Sequence, residues 1–338
     1  MMANAPAARV LIPARLSPDF STLDGDLRQL AGQCMGTSWS VRVVCPDDSR
    51  FARLEADISG ILDTIETQMS HFRHDSDLCR FARLNAGEWL EMPAEFAHVM
   101  RAALEVAGLS NGAFDPAIAA AVDAWGFGAR QAYTAPGFKP PATVTTQAHS
   151  GWRELVIDDN SRLLQPGGVS LNFAAIAKGF AVDALSEYLA RLGLHNHLVE
   201  IGGELRGAGV KPDYQPWWVA LESPETDCPL PATRIALHGL AVATSGDYRR
   251  RYHAGDRFVQ HTIDPRTGAP VLHALSSVTV IHTECMLADA WATALMVLGA
   301  EEGLRLATRQ GLCALLQWRD ARSVWREAAS PAFQELAP

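Results

Sequence analysis

Hydrophobic and polar positions alternate along residues 36–44, GTSWSVRVV, which predicts a strand. Residues 51–69 then place Phe51, Leu54, Ile58, Ile61, Leu62 and Ile65 at helical spacing, an amphipathic helix. The polar stretch SHFRHDSDLCRF follows as a loop, and a second helix covers residues 94–109, ended by the Asn-Gly of SNGAF. From residue 153 the pattern shortens. RELVID, DN and SRLLQ form a hairpin signal, and VSLNF reads as a strand feeding a helix at about 174–192 that Gly193 closes. HLVEI, GG and ELRGAG read as strand, tight turn, strand, and short strands are expected at 217–221, 233–244 and 258–263. The β-branched run 276–282, SSVTVIH, is a strand before a helix at 285–299 that Gly299 ends, and LCALLQW and SVWRE are late strands.

Paired strands alternating with single long helices predict an α+β class, with antiparallel sheets and helices on one face. A doubly wound parallel sheet is the weaker alternative, because regular βαβ units and a GxGxxG after a strand are missing. Residues 1–30 read as an irregular lead-in and 31–330 as one folded domain, with a candidate lobe boundary in the Pro-, Ala-, Thr- and Gln-rich stretch 129–150. No internal repeat shows.

Composition narrows the function. Of 338 residues, 48% are apolar and 20% charged, enough for a sizeable core. The net charge of -9 disfavours nonspecific nucleic-acid binding, which needs a basic surface, but is compatible with a cation site. Six cysteines without a CxxC pair read as reduced thiols. The N-terminal stretch lacks a signal-peptide run and a lipoprotein signal, and no apolar run is long enough to span a bilayer. The expectation is a cytoplasmic protein, with the periplasm as the alternative if the natural start differs.

Five constellations carry candidate chemistry. In LADAWAT, Asp289 and Thr293 stand four apart and so share a helix face, where a carboxylate and a hydroxyl suit magnesium. Taken alone, an Asp near a helix start is more often a cap. LNFAAIAKGFAVDAL, residues 171–185, opens a helix with small side chains beside Lys178, which suits an anion. Gly179 there allows close packing. In QHTIDPRTGAPV, residues 260–271, a Pro-Gly turn brings His261, Asp264 and Arg266 together, with a self-bonded structural turn as the even alternative for Asp264 and Arg266. His261 can take up a proton near neutral pH. NGAFDPAI could present Phe114 and Asp115 to a ligand, or Asp115 could cap a helix from Pro116. EIGGELRGAG could cradle a flat or phosphorylated ligand or be a plain hairpin. The GxSxG, HExxH and Walker signatures are missing.

In order along the chain, CMGTSWSV, MSHFRHDSDLCRF, GAFDPAI with WGFG, LNFAAIAKGFAVDAL, EIGGELRGAG, ATSGDYRRRY, HTIDPRTGAPV and SVTVIHTECMLADAWATALMVLG together resemble the FAD:protein FMN transferase (ApbE) family over residues 32–300. The resemblance implies a T-fold-like α+β architecture that binds FAD and Mg2+. It also implies transfer of FMN through a phosphoester bond to a Thr or Ser of a target protein, with release of AMP. A membrane redox-complex subunit is one candidate target. Carried onto this chain, it implies FAD contacts at Met35, Phe72 (where the family often has Tyr), Ala113, Phe114, Asp115, Asn172, Lys178 and His261. The Ala175 carbonyl would join Asp289 and Thr293 as magnesium ligands, and His261 or Asp264 would act as base. Asn172 stands where the family usually has Asp. Two other readings compete: an FAD pyrophosphatase that uses water, and an FAD-binding protein without turnover.

Overall fold

The computed structural model describes residues 8–13, 23–130, 132–141, 151–225, 228–247, 250–254 and 257–336. In chain order, strand β1 (Arg9–Leu11) precedes the hairpin β2 (Asp26–Cys34) and β3 (Thr37–Cys45). Helix α1 (Asp48–Met69), helix α2 (Asp77–Phe81), strand β4 (Trp89–Glu91), helix α3 (Ala94–Leu109) and helix α4 (Ala119–Ala124) follow. Strands β5 (Val156–Ile157) and β6 (Arg162–Leu164) lead to helix α5 (Ala177–Arg191). A run of strands comes next: β7 (His197–Ile201), β8 (Glu204–Ala208), β9 (Trp217–Ala220), β10 (Thr233–Leu237), β11 (Leu240–Gly246), β12 (Arg251–Ala254), β13 (Arg257–Gln260), β14 (Ile263–Asp264), β15 (Ala269–Pro270) and β16 (Leu275–His282). Helix α6 (Cys285–Arg309), strands β17 (Cys313–Arg319) and β18 (Trp325–Ala329) and helix α7 (Pro331–Leu336) complete the order.

Eight strands form the central sheet, in the order β18-β17-β16-β11-β8-β7-β3-β2, and every neighbouring pair is antiparallel. The period of two in the sequence sorts its side chains to two faces. Val41 and Val43 of β3, Val199 and Ile201 of β7, Ala241 and Ala243 of β11, and Val278 and Val280 of β16 point into one core. Helices α1, α3, α5 and α6 cover that face. One residue away from those positions, Leu198, Val242 and Ile281 turn to the opposite face. There they meet Leu11, Trp217, Ile235 and Leu237 of the small sheet β1-β10-β9 and Phe333 of α7. Each large apolar side chain so buried contributes roughly 1.5–3 kcal/mol. The α+β class with antiparallel sheets and helices packed on them is as the sequence predicts.

Local chemistry sets the ends of the elements. Asp47 caps α1 by accepting the Arg50 N–H at 2.7 Å. Ser70 ends it in extended conformation, its hydroxyl taking the N–H groups of Phe72 and Arg73. The hairpin β2–β3 turns on Met35 and Gly36, both at positive φ (49° and 72°), the geometry of a two-residue type I′ loop.

Several boundaries differ from the sequence reading. β1 and β2 occupy the expected lead-in. VSLNF is not a strand, and α5 starts at Ala177, three residues later than about 174. The single strand expected at 233–244 is two, β10 and β11, parted at Gly239 (φ 69°), and 258–263 likewise divides into β13 and β14. The helix at 285 does break at Gly299 (φ 78°), but helical structure resumes as far as Arg309. Part of the stretch 129–150, residues 131 and 142–150, lies outside the described residues, as do 1–7 and 14–22 of the lead-in. Among the described residues no helix is long and apolar enough to cross a membrane.

Candidate functional site

The start of α5, the start of α6 and the β7–β8 turn converge on one cluster of charge. Gly179 makes the approach of the helices possible. A Cβ there would stand 2.3 Å from the Cys285 carbonyl oxygen and 2.7 Å from the Met286 Cα. The two helices then exchange carboxylates. Asp289 of α6 accepts the Gly179 N–H at 3.3 Å. Asp183 of α5 accepts the N–H groups of Cys285 at 2.9 Å and Met286 at 2.8 Å. Each acid lies at the positive end of the partner helix, where exposed N–H groups favour negative charge. Arg206 of β8 pairs with Asp183 at 2.7 Å.

Beside Gly179, Lys178 places its ammonium on Oε1 of Glu204, the first residue of β8. Glu204 and Asp289 are 3% and 4% exposed, and the Lys178 side chain 27%. Burial, with Asp289 nearby, pushes the Glu204 carboxyl up to about 7 despite the ammonium. Burial also raises Asp289, against the pull of Lys178 and the Gly179 N–H. Burial works against charge on Lys178, but Glu204 and Asp289 outweigh it and the ammonium is held above its ordinary value. Two buried carboxyl groups thus share one ammonium, and burial resists full charge on both of them unless a further cation is present. One turn beyond Asp289, the Thr293 hydroxyl shares a hydrogen bond of 3.2 Å with Ser245 of β11.

A second group of predicted residues adjoins the α5 entry. Ala175 lies half-buried in the turn before the helix. Asn172 shapes that turn, its side-chain oxygen accepting the Ala174 N–H at 2.8 Å while its own N–H reaches the Pro116 carbonyl at 2.7 Å. That bond ties the α5 entry to the GAFDP motif. Asp115 accepts the Ala117 N–H at 2.7 Å, its second oxygen has no partner among the described residues, and burial pushes it up to about 6. Ala113 and Phe114 have buried side chains, so a ligand would meet them through the main chain. Met35 donates its N–H to Glu66 at 2.6 Å. Phe72 stands 61% exposed against the His71 ring.

His261 and Asp264 lie on a third segment, between β13 and β15. The His261 main chain and Nδ1 both meet the Arg250 carbonyl, at 3.2 and 3.3 Å, and its ring edges onto Phe127. Asp264 is bound by its own turn. It accepts the Arg266 N–H at 2.9 Å and takes the guanidinium with both oxygens, each at 2.8 Å. The self-bonded alternative therefore describes Asp264 and Arg266, and no lone oxygen of Asp264 stands clear to act as base. Trp125 donates to the Gly268 carbonyl at 2.8 Å, joining WGFG to this turn.

Glu204, Asp183 and Ser245 were not singled out from the sequence. Glu204 and Asp183 sit inside motifs that were, EIGGEL and AKGFAVDAL. Nothing in sequence spacing marks an acid at a strand start as buried, since the elements packed on β8, α5 and α6 among them, come from distant parts of the chain.

The architecture and this cluster define an α+β protein with a lysine and two buried carboxyl groups gathered at paired helix starts. Residues 35–316 match the ApbE family, and the chain belongs to that family. A FAD:protein FMN transferase of Vibrio cholerae is 33% identical over 312 residues, 90% of this chain and 91% of that protein. One from Salmonella typhimurium is 31% identical over 333 residues, 97% and 94% of the two chains. Among solved structures, the apo flavinyl transferase ApbE of Pseudomonas stutzeri superposes with a TM-score of 0.83 at 35% identity, covering 92% of this chain and 96% of that one. The Vibrio cholerae flavin transferase ApbE gives 0.82 at 33%, covering 91% and 99%.

Proposed function

We propose that this chain transfers FMN from FAD to a Thr or Ser hydroxyl of a target protein and releases AMP, with Mg2+ held by Asp289, Thr293 and the Ala175 carbonyl. Relatives named FAD:protein FMN transferase that align along nearly the whole chain support the activity. The observation that carries the site assignment is the placing of two buried carboxyl groups, Glu204 and Asp289, around the single ammonium of Lys178, which pairs with Glu204. Hard oxygen donors, one of them the buried Asp289 carboxyl group, fit a magnesium ion. When bound there, the ion supplies positive charge against the diphosphate.

The chain's own residues do the rest. Lys178 retains two ammonium protons beyond its bond to Glu204, which can hold the FAD pyrophosphate at the α5 start. The helix start and the Asn172 turn orient the nucleotide, with Met35, Phe72, Ala113, Phe114 and Asp115 as its further contacts. The acceptor oxygen forms its bond to the FMN phosphorus as the P–O bond to AMP breaks, and AMP leaves with the bridging oxygen. His261 takes the hydroxyl proton. Asp264, clasped by Arg266, holds the turn that carries His261.

The test is incubation of the purified chain with FAD, Mg2+ and candidate targets, read by intact-mass spectrometry. The expected result is a target heavier by one FMN less one water, with one AMP released to solution for each transfer, both outcomes lost in Asp289→Asn. AMP without target modification would make the chain a pyrophosphatase. FAD that stays bound and intact would make it a carrier.

A further inference from the structure

Glu204 is one of the most deeply buried acids of the protein, and its second oxygen, Oε2, has no hydrogen-bond partner among the described residues. It follows directly on the Gly202–Gly203 turn, and Oε2 lies 3.4 Å from where a Cβ on Gly202 would stand. Leaving a buried carboxylate oxygen bare is costly, so its presence calls for a reason beyond packing.

The reason lies in how Lys178 is shared. Its ammonium is within electrostatic reach of both Glu204 and Asp289. Among the described residues its ion pair forms with Glu204 only. Among the described residues none joins Lys178 to Asp289, whose carboxylate takes just the Gly179 N–H. Beside buried carboxyl groups, an ammonium that loses its partner is drawn to the next one within reach. We infer that Glu204 is a positioning residue that holds Lys178 off Asp289, so that the Asp289 carboxylate is left to a divalent cation. The inference rests on the proposed role of Asp289 as cation ligand.

It makes a prediction of mixed sign that a merely structural role would not make. Glu204→Gln keeps the shape of the side chain but frees Lys178 to pair with Asp289. Cation binding weakens, because lysine and cation now compete for one carboxylate. Binding of FAD without metal holds or tightens, because one negative charge near the diphosphate has gone. Removing the lysine as well, in Lys178→Met/Glu204→Gln, ends the competition and restores the cation.

The experiment uses the full chain and Mn2+ as probe, with free Mn2+ measured by electron paramagnetic resonance, and FAD affinity measured in EDTA by flavin fluorescence. Glu204→Gln is expected to weaken Mn2+ binding roughly tenfold or more. Its metal-free FAD affinity should be no lower than wild type, and the double variant should return to within about threefold of wild-type Mn2+ affinity. Lys178→Met alone should bind Mn2+ at least as well as wild type, which serves even where Glu204→Gln folds poorly. Unchanged Mn2+ binding in Glu204→Gln, or a loss in Lys178→Met or in the double variant, overturns the inference. A wild-type chain that binds no Mn2+ overturns the metal assignment to Asp289 itself, a separate outcome.

Discussion

Asp183 and Asp289 cap each other's helices: Asp183 of α5 takes the N–H groups of Cys285 and Met286 at the start of α6, and Asp289 of α6 takes that of Gly179 at the start of α5. The exchange fixes the rotation of α6, and with it the face on which Asp289 and Thr293 stand one turn apart. Replacing Asp183 by Ala removes two hydrogen bonds and leaves Arg206 without its main partner. Loss of one member of a buried pair costs about 3 kcal/mol or more, and urea denaturation should show it. Asp183→Asn keeps an acceptor oxygen and should cost less. Equal stability of wild type and Asp183→Ala would mean the cap does not hold the two helices together.

Gly179 gives the closest test of the helix contact. An added methyl meets main-chain atoms of Cys285 and Met286, which cannot swing aside as a side-chain tip can. Gly179→Ala should therefore push α5 from α6, with a stability loss of about 2 kcal/mol and weaker FAD binding. A variant as stable as wild type, with full FAD affinity, would refute the packing argument.

The sequence offers both His261 and Asp264 as the base, and the geometry separates them. Both oxygens of Asp264 are already taken by Arg266 across a pair that is partly open to solvent. Asp264→Asn should cost no more than about 1 kcal/mol and leave most of the FMN transfer. His261→Gln should lower transfer roughly 100-fold with little change in unfolding midpoint. The reverse ranking, read from initial rates of target modification, would return the base role to Asp264.

How far these relationships can be read from sequence depends on what sets each residue's environment. Helix α3 is legible to the residue, because its apolar spacing and the Asn-Gly stop are local. Strand β2 is not: it is the sheet edge, its outward positions are exposed, and its pattern offers little apolar contrast. VSLNF looks like a strand by composition, but Asn172 bonds the Ala174 N–H and bends the chain into a turn instead. In the site, Lys178 and the Asp289–Thr293 pair stand out because their spacing is local. Glu204 and Asp183 gain their meaning only when α5 reaches β8 and α6, contacts that no local spacing encodes.

His197 offers a pH test of the seam between α5 and the sheet. Its Nδ1–H donates to the Leu194 carbonyl at 2.8 Å, and its Nε2 accepts the Ser186 hydroxyl at 2.8 Å, so the native ring is neutral and both nitrogens are used. Burial pushes its pKa from 6.5 down to about 4. A proton therefore binds the unfolded ring more tightly than the folded one. Above the unfolded value of 6.5 the group is neutral in both states, and as pH falls from 6.5 towards 4 stability is lost. Across that window the loss approaches about 3 kcal/mol. Asp115 has the opposite sign: its folded pKa is raised to about 6, so its contribution is present at low pH and fades as pH rises from 3.8 through 6. A bare pH curve would mix these with other raised acids such as Glu204 and Asp247, and the difference between wild type and His197→Gln isolates the histidine. Urea midpoints measured from pH 4.5 to 7.5 should show the wild type losing stability relative to the variant as the medium turns acid. Parallel curves would mean that folding does not change the His197 pKa, and that burial does not depress it as described.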